Sequence, residues 1–305
     1  MVRFEKATFT LPLLFGSENN NNLMSKLQKF SKAKYNITLP IHSFYGAPTN
    51  AIWNGGRPPY YDDSTIDNRV SNYYDSIDAN CYLTYTNHLA GDYLDDPVSN
   101  LSLEKLSGSD NGVIITDERL HVYIRKTYPH LKTKASVIKS TKEMPHKRTP
   151  DYYNALLDRY DFVVLHPDDN TDLNLIANIK DKGRLEILID ERCTKNCRVR
   201  DLHYDVNAQY NIPLDTRDSN ILSQEIDLWG KLCPREKTIV MKNGKEKLDV
   251  LINNNREIQD LYDMGIYKYK TSGRGNQLHE SFAIKKFLYT AIDDEDMRNT
   301  LEYFL

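Results

Sequence analysis

The sequence predicts an α/β chain folded as a (β/α)8 barrel of the TIM type. Short apolar runs recur along it, separated by helix-length stretches. Several of those stretches open on capping oxygens with early negative charge, and strands that alternate with helices are joined in parallel by crossovers. The competing architecture, a doubly wound open sheet, usually carries a Gly-rich phosphate loop after its first strand, and no G-x-G-x-x-G follows Phe44-Tyr45-Gly46-Ala47-Pro48.

In chain order, residues 1–36 read as an N-terminal extension packing on the barrel. It holds a strand-like piece from Lys6 to Pro12, a polar loop through Asn22, and a short helix with Leu23, Leu27 and Phe30 on one stripe. Residues 37–305 form the barrel domain. Its first six strands are expected within Ile37–Ala47, Cys81–Asn87, Gly112–Asp117, Lys134–Lys139, Phe162–Pro167 and Leu185–Ile189. Helices are expected at Asp63–Ser76, Asp96–Leu106, Asp117–Thr127, Pro150–Tyr160 and Thr171–Lys182. Pro150 suits a first helical turn, and Gly108 and Gly183 end the helices before them. An insertion at 205–235 follows strand six. Thr238–Met241 or Leu248–Ile252 is the candidate for strand seven, and Ile266–Lys270 is strand eight, leading into a helix from Gln277 to Ala291.

Composition narrows the function classes. A net charge of −3 and a pI near 6.3 give no global attraction to nucleic acid or to an anionic membrane. There is no run of 18 apolar residues, and the opening Met1-Val2-Arg3-Phe4-Glu5-Lys6 lacks the layout of a secretory signal, so a cytoplasmic location without membrane contact is expected. Four cysteines, unevenly spaced, are too few for a disulfide framework and fit a reducing compartment. Neither G-x-S-x-G, H-E-x-x-H, a Walker loop nor an EF-hand occurs, which disfavours standard serine and zinc peptidases.

Chemistry is expected where strands end. Cys193 and Cys197 form C-x3-C after strand six, and Cys233 lies in the insertion. Three thiolates, with His203, Asp190 or Glu191 as a fourth ligand, suit an iron–sulfur cluster, or zinc as the alternative. The competing reading is unpaired cytosolic thiols. Cys81 begins its strand, roughly 20 Å below the rim, out of reach of the others. Radical-SAM spacing would need a cysteine where Arg200 stands. Lys270 and Arg274 end strand eight, where Arg274 between Gly273 and Gly275 suits an anionic substrate group; the alternative pairs Lys270 with a barrel carboxylate such as Glu186. Asn87, with His88 and Asp92, ends strand two, and His166, Asp168 and Asp169 end strand five, positions suited to acid–base work or to local hydrogen bonding. Trp53 and Arg57, in the loop after strand one, suit a planar substrate, although a loop Trp more often packs its own loop down.

The segment Asp263-Met264-Gly265-Ile266-Tyr267-Lys268-Tyr269-Lys270 with Gly273-Arg274 resembles the strand-and-loop signature of the collagenase-like peptidase family. The strand ending in Cys193, with Cys197 and His203-Tyr204 beyond, is similar to that family's cysteine-bearing loop, and Leu83 to Asn87 extends the likeness over about 41–286. The resemblance implies a TIM-type barrel. It also implies, from the bacterial branches, a cysteine-bound [4Fe-4S] cluster in proteins that hydroxylate RNA bases or ubiquinone precursors. Those branches use four neighbouring cysteines, and this chain supplies three. The expected function is thus a barrel enzyme, hydroxylase-like rather than a true peptidase. Its catalytic residues would be His203, Lys270 and Asn87, and its substrate an RNA base or an anionic small molecule held by Arg274, Trp53 and Arg57. A second reading, from a different class, is a non-catalytic scaffold or binding module, of phage origin, that has lost the cluster.

Overall fold

A computed structural model of the chain describes residues 2–304 except 17, 49, 57–78, 107, 109, 192, 214–215, 217–218, 234–250, 253 and 274–276. Arg57, Arg274, the helix expected at 63–76 and the strand expected at 238–241 lie outside the described residues. Eight parallel strands close into a ring. They are β1 (Thr8–Leu11), β2 (Ile41–Gly46), β3 (Asn80–Tyr85), β4 (Gly112–Ile115), β5 (Lys132–Ala135), β6 (Phe162–Val164), β7 (Leu185–Leu188) and β10 (Lys268–Lys270). Two short strands, β8 (Asp190–Glu191) and β9 (Leu251–Ile252), pair antiparallel outside the ring. This is the predicted (β/α)8 barrel.

The strand numbering is corrected in three places. The strand-like piece of the supposed extension is β1, hydrogen-bonded between β10 and β2, so 1–36 belongs to the barrel. Leu251–Ile252 does not continue the ring but caps the segment after β7. The insertion at 205–235 accordingly falls in the last crossover, after the seventh strand rather than the sixth.

Each strand alternates. Phe9, Leu83, Tyr85, Val113, Ile115, Ile187 and Tyr269 are fully buried on the outer face of the ring, against the helices. Each contributes roughly 1.5–3 kcal/mol by leaving water. Their neighbours Thr10, Ser43, Tyr45, Tyr82, Thr84, Lys134, Glu186 and Lys270 face inward. A barrel interior is ordinarily Val, Ile and Leu; this one is largely polar, with Glu186 bonded through Oε1 while its Oε2 has no hydrogen-bond partner. Lys134 Nζ lies 2.5 Å from Glu186 Oε1 and 4.4 Å from the centre of the Tyr82 ring. The Thr10 hydroxyl donates to the same carboxylate at 2.8 Å and shares a hydrogen bond with Ser43.

The helices start where the capping residues place them. They are α1 (Glu18–Tyr35), α2 (Pro97–Glu104), α3 (Glu118–Thr127), α4 (Val137–Glu143), α5 (Pro150–Leu157), α6 (Leu173–Ala177), α7 (Arg200–Tyr210), α8 (Ser219–Leu232), α9 (Asn255–Asp263), α10 (Gln277–Ala291) and α11 (Glu295–Glu302). Asp96, Asp117, Thr149, Asp172 and Asp294 each accept a backbone N–H of the first turn, and Asn254 with Glu257 forms a capping box. Ser136 caps α4, which ends β5 at Ala135 where the sequence suggested a strand running to Lys139. None of these helices is long and apolar enough to cross a membrane.

Candidate functional site

The strand ends open into a cavity of about 260 Å³. Tyr45, Thr84, Ile114, Val164, Leu188 and Lys270 line it from the ring, and α7, α8 and the loop after β7 form the roof. Arg200, His203, Tyr204 and Asn207 reach the cavity from α7 at spacings of three and four, one helical face. Trp229 reaches it from α8, and Cys233 from the residue just after that helix.

The loop 193–199 is built to bring two thiols together. Asn196 sits at φ 53°, a left-handed turn that Asn tolerates, and reverses the chain between the cysteines. Its N–H donates to Asp168 Oδ1 at 3.1 Å, and the Cys193 N–H donates to Glu191 at 3.0 Å. Arg200, 4% exposed, clamps the loop from beneath: it donates to the Thr194 carbonyl at 3.0 Å and to Asp168 at 3.3 Å, and faces His166 Nε2 at 3.1 Å. Burial, then Arg200 and Arg148, push His166 down to about 2, so it stays neutral. Its Nδ1 accepts the Asp168 N–H, which makes it a holder of the loop.

Within that loop the Cys193 thiol donates to Cys197. This bond, against the cost of burial, draws Cys197 down to about 6, aided by the Val199 N–H, the Thr194 hydroxyl and Arg200. The same bond, and burial, raise Cys193. Charge is thus concentrated on one sulfur at the cavity wall. Elsewhere in the lining Lys270 Nζ lies 3.7 Å from the centre of the Tyr45 ring, whose hydroxyl donates to the Thr271 carbonyl at 2.8 Å.

The candidate residues divide. Cys193, Cys197, Cys233, His203 and Lys270 all line the one cavity. His203 is stacked 4.8 Å from Trp229 at 19° and 6.0 Å from Tyr204 at 15°, which fixes its ring as part of the wall. Asn87 does not line the cavity. Its amide donates to the Ile52 and Ala208 carbonyls and accepts from the Leu89 N–H, tying α7 to the end of β3. Trp53 is wholly buried, donates to the Tyr93 carbonyl and packs edge-on against Tyr85 and Tyr123, with no face left for a planar substrate. The indole in the cavity is that of Trp229. Neither Arg200, noted in the sequence only for ruling out radical-SAM spacing, nor Trp229 was among the expected site residues, although the i, i+3, i+4, i+7 repeat from Arg200 to Asn207 was there to be read.

Two of the expected ligands form a pair and the others do not complete a set. Among the described residues no group of three or more His, Cys, Asp or Glu side chains is arranged to hold a metal ion. Cys81 lies at the opposite end of the ring, its thiol pushed up to about 12 by burial. A four-thiolate cluster therefore does not fit this donor set, nor does Cys3His zinc. Anaerobically purified protein should be colourless, with neither iron nor zinc in stoichiometric amount by elemental analysis. A brown protein with bound iron would reverse this.

Fold and site together define a closed parallel barrel with a thiol pair at the mouth of its strands. No family model and no curated protein matches the chain. The solved structure of the U32 peptidase Mk0906 is similar in fold, with a TM-score of 0.48 and 14% identity over 90% of this chain and 96% of that one.

Proposed function

We propose that this chain is a barrel enzyme that takes a small, planar, largely apolar group into the strand-end cavity and works on it through the Cys197 thiolate. The observation that carries the reading is that Cys193 and Cys197, on one loop pinned by Arg200 and Asp168, both line the cavity. Pockets for drug-sized ligands run from about 300 to 1,000 Å³. A cavity of about 260 Å³ suits a single ring or a single base. Ile114, Val164, Leu188 and Trp229 supply apolar walls, and Lys270 supplies a cation for an electron-rich edge. Cys197 is the nucleophile, and Cys193 stabilises its charge by donating to it. The planar-substrate part of the hydroxylation reading is carried forward; its iron–sulfur step is not. An RNA partner would have to present one unstacked base, because the overall charge of −3 gives no hold on a backbone.

Alkylation by iodoacetamide tests this. Thiolate reacts and thiol does not, so the fast phase should be half-maximal near pH 6 and fade as the pH falls below it. Cys197→Ser should abolish the phase, and Cys193→Ser should move it to higher pH. Benzoate should protect the wild type, but not Lys270→Met. A wild-type profile centred near the ordinary thiol value of 9 would remove the nucleophile and favour the non-catalytic scaffold.

A further inference from the structure

The thiol pair has a second property that alkylation chemistry does not use. Both cysteines are partly exposed, both line the same cavity, and both stand on one short loop, four positions apart on either side of the left-handed turn at Asn196. The turn at Asn196 and the Arg200 clamp hold them there without a covalent link. We infer that Cys193 and Cys197 form a peroxide-reactive dithiol, which reduces one hydroperoxide molecule and closes to an intramolecular disulfide at the mouth of the barrel.

The roles follow from the donors. Arg200 holds the loop at the Thr194 carbonyl and favours a negative charge on Cys197, the more readily ionised of the two thiols, so Cys197 attacks. With hydrogen peroxide, the Cys197 sulfur bonds to one oxygen, the O–O bond breaks, and hydroxide leaves to take up a proton as water. Cys197 is then a sulfenic acid. Cys193, on the same loop and the same cavity, bonds to the Cys197 sulfur, the S–O bond breaks, and the departing hydroxide takes the Cys193 proton as the second water. Two thiols have lost two electrons and two protons, and the peroxide has gained them. Cys81, buried at the far end of β3, has no part in this, and Cys233 enters from the residue just after another helix.

The sequence offers a direct readout. Trypsin cuts after Arg192, Lys195 and Arg198, which leaves Cys193-Thr194-Lys195 and Asn196-Cys197-Arg198 as separate fragments. After one equivalent of hydrogen peroxide, followed by blocking of free thiols, these two should emerge joined, with two of the four thiols lost and the protein still monomolecular in that bond. Cys193→Ser should stop at a sulfenic acid on Cys197, trapped by dimedone. Cys197→Ser should keep its remaining Cys193 thiol at that dose, and Cys81→Ser, remote from the cavity, should behave as wild type. The proposal is overturned if the fragments emerge separate, if Cys197 joins Cys233 or a second chain instead, or if the pair oxidises no faster than Cys81. The mass readout on the unsubstituted chain needs no variant to fold. It is also independent of whether any substrate is turned over, so it and the proposed enzymatic role stand or fall separately.

Discussion

Replacing Glu186 with glutamine is expected to cost about 3–5 kcal/mol of stability, because it leaves the Lys134 ammonium charged and unpaired inside the ring. The two side chains are only 2% and 1% exposed, so no water is at hand to take the place of the lost carboxylate. The urea midpoint checks this. Lys134→Met should cost a similar amount, and combining it with Glu186→Leu should recover most of the loss, since the double variant removes both charges together. If the double variant is as unstable as the sum of the two singles, the pair is not the reason the interior is polar. The same group sets an acid limit. Burial by itself would raise Glu186, but Lys134, Lys270 and the hydrogen bonds from Lys134 and Thr10 outweigh it and bring the carboxyl from 4.5 to about 2. A depressed carboxyl stabilises the fold fully above its unfolded value, and the contribution is lost as pH falls through the folded one. Stability from this residue should therefore be flat above about pH 4.5 and decline toward pH 2.

Replacing Arg200 with methionine should have the second-largest effect, on stability and on thiol reactivity at once. It strips the charged partner from Asp168, whose side chain is 8% exposed, at a cost of about 3 kcal/mol, and frees the Thr194 carbonyl. With the clamp gone, the thiol loop loses the geometry that lets Cys193 donate to Cys197, and Cys197 loses a nearby cation. The pH of half-maximal iodoacetamide reaction should rise from about 6 toward the ordinary thiol value. Arg200→Lys keeps the charge but not the planar fork, so it should restore part of the reactivity and less of the stability. An unchanged pH profile in Arg200→Met would show that the loop holds itself.

The outer half of this fold was legible in the sequence because burial repeats at known periods. Phe9, Leu83 and Ile187 alternate with polar neighbours, and Asp96, Asp117 and Thr149 sit where helices start. The inner half was misread for the same reason. Lys132-Thr133-Lys134-Ala135 looks too polar for a strand, so β5 was placed further on, toward Val137 and Ile138, which in fact open α4. Only the partner at Glu186, 52 positions away, explains Lys134 inside the ring. The total of eight strands came from two errors that cancel: β1 was set aside as an extension, and a strand was supplied from the last crossover.

At the site, proximity of Cys193, Cys197 and Lys270 to one strand-end cavity could be reasoned from position in the repeat. What each side chain does there could not. Trp53 and Trp229 differ in nothing local that says which one meets solvent-filled space, since that depends on how α8 folds over the ring. Asn87 is consumed by three backbone groups, two of them remote in sequence. The low value at Cys197 arises from a turn at Asn196 and a clamp from Arg200, neither visible in a C-x3-C spacing.

The way the roof is fastened has a consequence for the whole cavity. Lys142 on α4 reaches Asp201 and Asp205 on α7, each at 2.5 Å, and His88 meets Asp205 at 2.9 Å. These side chains are 20–50% exposed, whereas the pair inside the ring is dehydrated. Dissolved ions screen the first kind of contact and hardly reach the second. Rising ionic strength should accordingly slacken the helices over the cavity while the ring beneath keeps its shape, so that access to the interior is governed by the surrounding electrolyte.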